Sequence, residues 1–514
     1  MQARGGERQE RDDVTWRELR HLILVTSIVV FSIASTYLLP FLARDRPFKA
    51  GDALPLASLW KSWQGQKENG GLAGVGEGYR SAPNEKEQEA LGSAVRESLK
   101  EVQEAEQTPR EDEPSEKSAG EGDSQVRVDA REYEGIEHRI EDPSGEGMRP
   151  FFLQLARTAG GKAELTRVAH YGDSSIATDL MTFTMRRRLQ ARFGEGGHGF
   201  VLIAKGFMPY RHRDIVHQAS TNWSVKPIMY GLSPDGRYGY GGVHYVSRSG
   251  AWASFATESD APVGKRITSF ELFFQEDPQG GDIAIRVDGG EATIVQTRGE
   301  KGKEGYAKID LSEGPHRIEI RHAGGGASHL YGAVLEKAGA GVVYDSIGLV
   351  GARAVRLLNY DGAHIARQLE HRGVHLLVLG FGGNEAGDPL RGVEAYEEDY
   401  RKVIRKMRRS KEMGCLLFAP LDQARRDESG KISTMPSVPR IVAAQRRAAL
   451  AEGCAFFNTF EAMGGEGAMR RWYASRLAMG DFRHATPAGY EVIASLFYKA
   501  ILQSFADHLA KPPS

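Results

Sequence analysis

The sequence contains almost no cysteine and has no excess of charge of either sign. Among 514 residues there are two cysteines, and 67 Lys and Arg residues balance 68 Asp and Glu residues. A nucleic-acid-binding protein usually carries a basic patch or stripe, so the near-zero net charge argues against that class. Apart from the cysteines, nothing in the sequence resembles a metal site. The length is sufficient for two or three domains.

The two cysteines each open a strand-like run, Cys415–Ala419 and Cys454–Phe457. If these strands are neighbours in a parallel sheet, the two thiols face each other. A disulfide is then the alternative for a protein located outside the cytoplasm. Because cysteine is among the residues most often buried, we expect two buried, unpaired thiols instead.

One long apolar run occurs near the N-terminus. Leu22–Leu42 contains about 20 residues without a charge, which is enough to cross a bilayer as a helix. It is longer than the apolar region of a signal peptide, so we expect an uncleaved single-pass anchor. Basic residues are slightly more frequent before the run than after it, which predicts a cytoplasmic segment at 1–21 and the rest of the chain outside the inner membrane. The arginines that precede the run are Arg4, Arg8, Arg11, Arg17 and Arg20.

Residues 43–148 have a different composition. This segment is rich in Gly, Glu, Ser and Lys and poor in aromatic residues. Such a composition buries too little apolar area to offset the entropy lost on ordering, which predicts a disordered linker. A short helix around Lys86–Glu104 is compatible with the sequence.

From Arg149 onward, strand-like and helix-like segments alternate. Regular alternation of this kind predicts a parallel sheet covered by helices on both faces. The pattern occupies 149–221 and resumes over 339–514. The predicted strands are Leu165–Tyr171, Gly341–Ser346, Val374–Gly380, Cys415–Pro420 and Cys454–Phe460. The predicted helices are Ile176–Phe193, Ala363–Arg372, Val393–Met413, Val438–Glu452 and a last one that begins at Thr486-Pro487 and ends near Leu509.

Residues 222–338 have the pattern of an inserted β-sandwich. Ser269–Phe274, Asp282–Val287 and His316–Arg321 alternate apolar with polar residues, which is typical of half-buried antiparallel strands. The insert also contains several aromatic residues. These either form a carbohydrate-binding platform, with Trp223 and Trp252 as the substrate-binding candidates, or fill the core of the sandwich. They are Trp223, Tyr238, Tyr240, Tyr245 and Trp252.

Five polar or glycine positions follow predicted strands or lie near the C-terminus, and together they point to acyl transfer. Ser174 comes directly after the first strand and supplies a nucleophile, while Asp481 and His484 supply an orienting carboxylate and a general base. Gly351 and Asn384 follow two further strands and, with the Ser174 N–H, are candidate oxyanion donors. In parallel sheets, ligands bind at the carboxyl ends of the strands, where three of these residues fall. This chemistry needs neither a metal nor an organic cofactor.

These motifs resemble the SGNH/GDSL hydrolase superfamily. Ser174 matches its first block, Gly351 its second, Asn384 its third, and Asp481 with His484 its last. The resemblance covers about 150–510 and implies an SGNH-type, flavodoxin-like sheet. Three further stretches resemble the peptidoglycan O-acetylesterase branch, which often has His where this chain has Ser175. They are Arg186–Gly194, Ala462–Gly467 and His484–Tyr490.

The resemblance implies a membrane-anchored carboxylic ester hydrolase that removes O-acetyl groups from a cell-envelope polysaccharide such as peptidoglycan. The same acyl-enzyme would serve a second function, a polysaccharide O-acetyltransferase that works with a membrane acyl-transfer partner. A third alternative is a non-catalytic wall-binding protein with a degenerate hydrolase fold. The residues themselves predict acyl transfer, and only the resemblance supplies the substrate class.

Overall fold

The computed structural model describes residues 91–107 and 126–511, apart from 163, 208–209, 259–260, 262–263, 389–391 and 409. The predicted cytoplasmic segment 1–21, the anchor Leu22–Leu42 and the linker up to residue 90 lie outside the described residues. Within the described part, no helix has both the length and the apolar character needed to cross a membrane.

The described chain contains ten α-helices and eighteen strands. The helices are α1 (Ser93–Gln107), α2 (Arg149–Ala159), α3 (Ser174–Ala177), α4 (Leu180–Phe193), α5 (Gly362–Arg372), α6 (Val393–Met407), α7 (Ser437–Ala451), α8 (Thr459–Ala462), α9 (Ala468–Ala474) and α10 (Pro487–Leu509). The strands are β1 (Leu165–Gly172), β2 (Gly197–Val201), β3 (Ile215–Ala219), β4 (Ser224–Pro227), β5 (Val243–Val246), β6 (Trp252–Thr257), β7 (Ile267–Gln275), β8 (Gly281–Val287), β9 (Ala292–Gln296), β10 (Glu304–Gly314), β11 (Arg317–Gly325), β12 (His329–Glu336), β13 (Gly341–Gly348), β14 (Leu376–Gly380), β15 (Gly414–Phe418), β16 (Ala424–Arg426), β17 (Ile432–Thr434) and β18 (Ala455–Phe457).

A five-stranded sheet forms the centre of the hydrolase-like part. Its strands lie in the order β13-β1-β14-β15-β18, and all neighbours are parallel. Counted along this part of the chain, the order is second, first, third, fourth, fifth, which is the flavodoxin-like order. The predicted parallel α/β architecture is therefore confirmed. The first strand, β1, is an interior strand with β13 on one side and β14 on the other, so the segment that follows it lies between the ends of these two strands.

The central strands are buried on both faces. Every residue of β13, β14 and β15 is buried, as expected for a parallel sheet between two layers of helices. Successive residues of β14 divide between two apolar clusters. Leu376 and Val378 join the cluster that contains α10, whereas Leu377 and Leu379 join the cluster that continues into the insert. The insert and one face of the sheet therefore share a core.

The insert consists of two antiparallel sheets. One has the order β10-β7-β12-β5-β4 with β2 beside β12, and the other has the order β3-β6-β11-β8-β9. Phe255 of β6 and Phe270 of β7 contact each other across the two sheets, with ring centroids 5.9 Å apart. The predicted start at residue 222 is wrong, because β2 and β3 already pair with insert strands. The alternating pattern that marked the later strands is weak in the fully buried β2.

A buried ionic network joins the insert to the central sheet. Arg372 of α5 donates to Asp345 of β13 (2.9 and 3.1 Å) and to Glu336 of β12 (2.5 Å). Asp345 also accepts from the Tyr240 hydroxyl (2.7 Å) and from the Phe200 N–H (2.8 Å), both of which belong to the insert. Several donors are needed to satisfy a carboxylate with no exposed surface.

The predicted continuous helix Ile176–Phe193 is broken. It consists of α3 and α4, with Asp179 between them in the left-handed region at φ 53°. The buried Asp179 carboxylate accepts from Arg186 (2.7 Å), from the Thr182 hydroxyl (2.7 Å) and from the Arg213 N–H (2.8 Å). Two of these bonds are local and the third comes from 34 residues away, and together they hold a backbone conformation that a continuous helix does not allow.

The linker prediction for 43–148 is wrong in two described segments. Helix α1 buries Leu91, Val95 and Leu99 near its start against the hydrolase-like part, in the same apolar cluster as α10. Glu101 of this helix forms an ion pair with Lys499 of α10 at 2.7 Å. Residues 126–148 follow the surface of the same part and form a bridge between Glu141 and Phe456. These segments contain few apolar residues, but those residues are enough to order them because they pack against the surface of the hydrolase-like part.

The prediction of two unpaired thiols is also wrong. Cys415 and Cys454 form a disulfide, with Cα atoms 4.7 Å apart. Cys415 lies in β15, and Cys454 directly precedes the adjacent parallel strand β18. Neighbouring strands place the two Cβ atoms on the same side, which is the geometry that a disulfide requires.

Candidate active site

Ser174, His484 and Asp481 lie together at the carboxyl end of the central sheet. The Ser174 hydroxyl is 2.8 Å from His484 Nε2, and His484 Nδ1 is 2.6 Å from Asp481 Oδ2. The second oxygen, Asp481 Oδ1, accepts from the N–H groups of Arg483 (3.0 Å) and His484 (3.1 Å). The carboxylate thus fixes both its own loop and the imidazole. The order serine, histidine, aspartate along these hydrogen bonds is the geometry of a nucleophilic triad.

The charges of this trio favour an imidazole that accepts a proton. The hydrogen bond that His484 Nδ1 donates to Asp481 raises the pKa of His484, while burial opposes the rise. Burial also works against ionisation of Asp481, but the hydrogen bonds from His484 and from the loop N–H groups lower its pKa to about 2. Asp481 is therefore ionised and His484 readily protonated when the serine proton is transferred.

The nucleophile is presented by a tight turn from strand to helix. Gly172 ends β1, Asp173 is the N-cap of α3, and Ser174 is the first residue of that helix. A Cβ atom on Gly172 would lie 2.3 Å from a side-chain carbon of Ile176 and 2.7 Å from the Gly380 carbonyl oxygen. Only glycine permits this approach. Because Ser174 begins a helix, its own N–H has no intrahelical acceptor and is available to an oxyanion.

A second backbone donor lies in the turn after β13. The Leu349 N–H donates to the Gly172 carbonyl (2.8 Å), which places this turn beside the nucleophile. The Ala352 N–H then donates to the Leu349 carbonyl (2.9 Å), and Gly351 adopts φ 74° between them. Glycine is favoured at this left-handed position, and its N–H remains available within the turn.

Asn384 lies in the third loop, after β14. Its side-chain amide donates to the Ala352 carbonyl (2.9 Å), so it holds the Gly351 turn in place. The side chain is half-buried, and its amide nitrogen carries a second hydrogen besides the one donated to Ala352. The structure thus brings the three predicted oxyanion donors, Ser174, Gly351 and Asn384, to one end of the sheet. Their action on a substrate belongs to the proposal below.

The loop after β14 also contains a buried carboxyl group, Glu385, that the sequence pattern did not predict. Glu385 is buried, and its Oε1 accepts from the Ala354 N–H (2.9 Å), whereas Oε2 has no partner among the described residues. Burial raises the pKa of Glu385 to about 7. The buried Glu385 carboxyl group therefore links the Asn384 loop to the segment that follows the Gly351 turn. No local pattern marks a Glu after Asn as buried.

Asp173 is a further buried carboxyl group beside the nucleophile. Its side chain accepts from the Ser175 N–H (3.0 Å), and burial raises its pKa. The Ser175 side chain also interacts with Asp173 and with the Tyr490 hydroxyl. Ser175, which stands where the O-acetylesterase branch often has His, therefore links the nucleophile turn to α10. A small cavity of about 20 Å³, room for roughly one water, borders Asp173 and Ser175.

The aromatic residues of the insert mostly fill its core. Tyr238, Tyr240 and Tyr245 have no exposed surface, and Trp223 is 6% exposed with its indole N–H donating to the Trp252 carbonyl (3.0 Å). The platform alternative is therefore wrong for these four residues, because their ring faces contact protein. Trp252 is half-buried in β6.

No group of three or more His, Cys, Asp or Glu side chains in the described part of the chain is arranged to hold a metal ion.

Comparison with known proteins gave a family and a fold. Residues 311–492 match the GDSL-like lipase/acylhydrolase family model, a range that includes Gly351, Asn384, Asp481 and His484 but begins after Ser174. A search of curated proteins gave no significant match.

Among solved structures, one described as a peptidoglycan O-acetylesterase in action has a TM-score of 0.60 and 21% identity, covering 72% of this chain and 99% of that chain. At this identity the likeness shows a shared fold. A Bacillus subtilis protein (TM-score 0.26, 15% identity, 55% of this chain and 88% of that one) and a family two carbohydrate esterase from Cellvibrio japonicus (TM-score 0.21, 9% identity, 57% and 98%) are too distant in structure to carry an argument.

The resemblance drawn from the sequence motifs is confirmed by the family model and by the shared fold. Residues 311–492 are similar to the GDSL-like lipase/acylhydrolase family, and the described chain shares its fold with a structure described as a peptidoglycan O-acetylesterase.

Proposed function

We propose that this chain is a membrane-anchored serine esterase that removes O-acetyl groups from a cell-envelope polysaccharide, with peptidoglycan as the first candidate. The observation that carries the proposal is the continuous line of hydrogen bonds from Ser174 through His484 to Asp481. The substrate class rests on the motifs shared with the O-acetylesterase branch and on the fold shared with one of its members.

The first half of the reaction follows from this geometry. His484 Nε2 takes the hydroxyl proton as Ser174 Oγ attacks the ester carbonyl carbon, and Asp481 stabilises the imidazolium. The negative charge that develops on the carbonyl oxygen is received by the N–H groups of Ser174 and Gly351 and by the Asn384 amide. The tetrahedral intermediate then collapses. The sugar oxygen leaves with the proton from His484, and the acetyl group remains on Ser174.

The second half regenerates the enzyme. A water molecule gives a proton to His484 Nε2 and attacks the acetyl carbonyl carbon. When the second intermediate collapses, Ser174 Oγ recovers that proton and acetate departs. If a sugar hydroxyl replaced water, the product would be a new acetyl ester, which is the acetyltransferase alternative.

A location outside the cytoplasm has two supports. The arginine bias around Leu22–Leu42 favours a cytoplasmic N-terminus. Disulfides persist in oxidising compartments and are rare in the cytosol, so the Cys415–Cys454 bond favours the same location.

The location is tested by cell fractionation. Full-length protein should stay with membranes after an alkaline wash, and protease added to spheroplasts should release an active soluble domain. A protected domain would contradict this orientation.

The proposed function is tested by acetate release. Full-length protein in detergent should release acetate from O-acetylated peptidoglycan, and Ser174→Ala should abolish both this release and labelling by a serine-directed phosphonate. Ser429→Ala, in an exposed turn, is the matched control. Undiminished release by Ser174→Ala would eliminate the nucleophile. Transfer of acetyl to an added glycan acceptor, faster than release to water, would favour the acetyltransferase.

A further inference from the structure

An apolar patch on the insert lies next to the oxyanion turn. Eight large apolar side chains in the described part of the chain are exposed, and three of them belong to two neighbouring segments. Tyr230 (64% exposed) and Leu232 (51%) lie in and after the short 3₁₀-helix Ile228–Tyr230, and Val355 (38%) lies in the 3₁₀-helix Ala354–Asn359. Grouped exposed apolar residues mark binding surfaces more often than single ones do.

The patch borders the Gly351 turn through side chains of its own segment. A Cβ atom on Gly351 would lie 3.4 Å from the terminal methyl carbon of Met229, the residue before Tyr230. A Cβ atom on Gly242 would lie 3.3 Å from side-chain carbons of both Ile228 and Leu349. The segment 228–232 is therefore packed against the turn that carries the Gly351 donor.

The segment is held rigidly in this place. The Ile228 N–H donates to the Gly242 carbonyl (2.9 Å), and the Ile228 carbonyl accepts from the Asn359 side chain (2.9 Å). Gly231, at φ 64°, ends the short helix with an N–H bond to the same carbonyl (3.1 Å). A fixed backbone lowers the entropy lost when a ligand binds to its side chains.

The exposed side chain of Tyr230 does not contribute to the packing of the segment. Within the described residues, its ring contacts no other aromatic ring and its hydroxyl makes no hydrogen bond, whereas the neighbouring Tyr238 and Tyr360 are buried and packed against each other. A tyrosine offers a flat apolar face and a polar edge, which suits the apolar face and hydroxyl rim of a pyranose ring.

We propose that the segment 228–232 forms a glycan subsite of the hydrolase, in which the Tyr230 ring stacks on a sugar adjacent to the one that carries the acetyl ester. The inference rests on the proposed function and specifies its substrate as a chain of sugars rather than a single acetylated sugar. Because the segment belongs to the insert and borders the Gly351 turn, the insert contributes directly to the active-site cleft.

The experiment compares two substrates on full-length protein. One is an O-acetylated peptidoglycan fragment several sugars long, and the other is a chromogenic acetate ester. Tyr230→Ala should raise KM for the fragment with little change in kcat, so that the ratio of kcat/KM for fragment over ester falls roughly 2- to 10-fold, the scale of one aromatic contact. Tyr230→Phe should restore the ratio, because the stacking face is retained. Ile294→Ala removes another exposed apolar residue (51% exposed), from strand β9 of the insert, and should leave the ratio unchanged.

Two outcomes would overturn the subsite alone. One is an unchanged ratio in Tyr230→Ala, and the other is a wild-type dimer that Tyr230→Ala dissociates, which would make the patch a contact between copies. Failure of the wild type to release acetate from any glycan, with the chromogenic ester still hydrolysed, would instead overturn the proposed function and the subsite with it.

Discussion

The Ser174 hydroxyl lies 2.8 Å from His484 Nε2, although the two residues are 310 positions apart in the chain. The entire insert and four of the five central strands are synthesised between them. The reacting pair therefore exists only when both ends of the catalytic part have folded onto one sheet. Reactivity of Ser174 reports on that complete assembly rather than on a local motif.

Asn384→Ala should lower kcat by roughly 10²–10³ with little change in KM, because an oxyanion donor acts on charge that exists only in the transition state. The measurement is steady-state hydrolysis of a chromogenic acetate, with Asn222→Ala, an exposed amide in the insert, as the control. The Asn384 amide also bonds the Ala352 carbonyl. A fall in melting temperature as large as the fall in rate would therefore assign Asn384 to holding the loop.

Asp481→Asn should change both the rate and its pH dependence. The Asp481 hydrogen bond is the main cause of the raised pKa of His484, and this base works only in its neutral form. In the wild type, kcat/KM should therefore decline as pH falls through a value above 6.5, the ordinary pKa of histidine. In the variant the same limb should move to lower pH, and the plateau should fall by roughly 10³–10⁴. A limb that stays in place would exclude Asp481 as the group that tunes His484.

Glu385→Gln should stabilise the protein at alkaline pH. The pKa of Glu385 is about 7 in the folded state and 4.5 ordinarily, so the folded protein retains a proton that the unfolded chain releases. Its contribution is favourable below pH 4.5 and is lost as the pH rises through 7. Glutamine cannot ionise, so the free energy of unfolding of the variant relative to wild type should increase from pH 5 to pH 8. The upper bound of this increase is about 3 kcal/mol, at about 1.4 kcal/mol per pKa unit.

Thermal unfolding at both pH values measures the Glu385 effect, and Glu428→Gln in an exposed turn is the control. A variant that is equally destabilised at pH 5 and pH 8 would show that Glu385 contributes through shape and not through ionisation.

Removal of the disulfide should destabilise the α/β part without altering the chemistry. The doubly substituted Cys415→Ala/Cys454→Ala protein loses a cross-link over 39 residues, which should lower the free energy of unfolding by roughly 2–4 kcal/mol. Denaturant titration measures this loss. Dithiothreitol should reproduce it in the wild type and have no effect on the variant. A reductant-sensitive variant, or an insensitive wild type, would contradict the pairing.

The parallel sheet could be predicted because its strands combine continuous apolar runs with regular spacing. Those runs also located Ser174, Gly351 and Asn384, since each follows a strand of that sheet. The triad partners were found by motif, because Asp481 and His484 are close in sequence and share a loop. The features that depend on local sequence patterns, namely the parallel sheet and the candidate site residues that follow its strands, could therefore be predicted.

The remaining features depend on partners distant in the chain. The break at Asp179 is held by Arg186 and by the Arg213 N–H, and neither contact is visible in the periodicity of the helix. The same holds for Glu385, whose burial is set by the Gly351 turn, and for the cysteines, whose pairing requires knowledge of strand order. A short helix around Lys86–Glu104 was compatible with the sequence, but the packing of α1 could not be predicted, because its apolar face is small and complete only against α10.

The ionic network beneath the insert limits how this enzyme can be modified. Deleting the insert would remove Tyr240, the Phe200 N–H and Glu336 and leave Asp345 and Arg372 facing each other in a cavity with unmet hydrogen-bonding capacity. A buried charge stripped of its donors is strongly destabilising. Replacing the insert with another domain, or trimming the chain to its α/β part, therefore requires replacing Asp345 and Arg372 together with apolar residues.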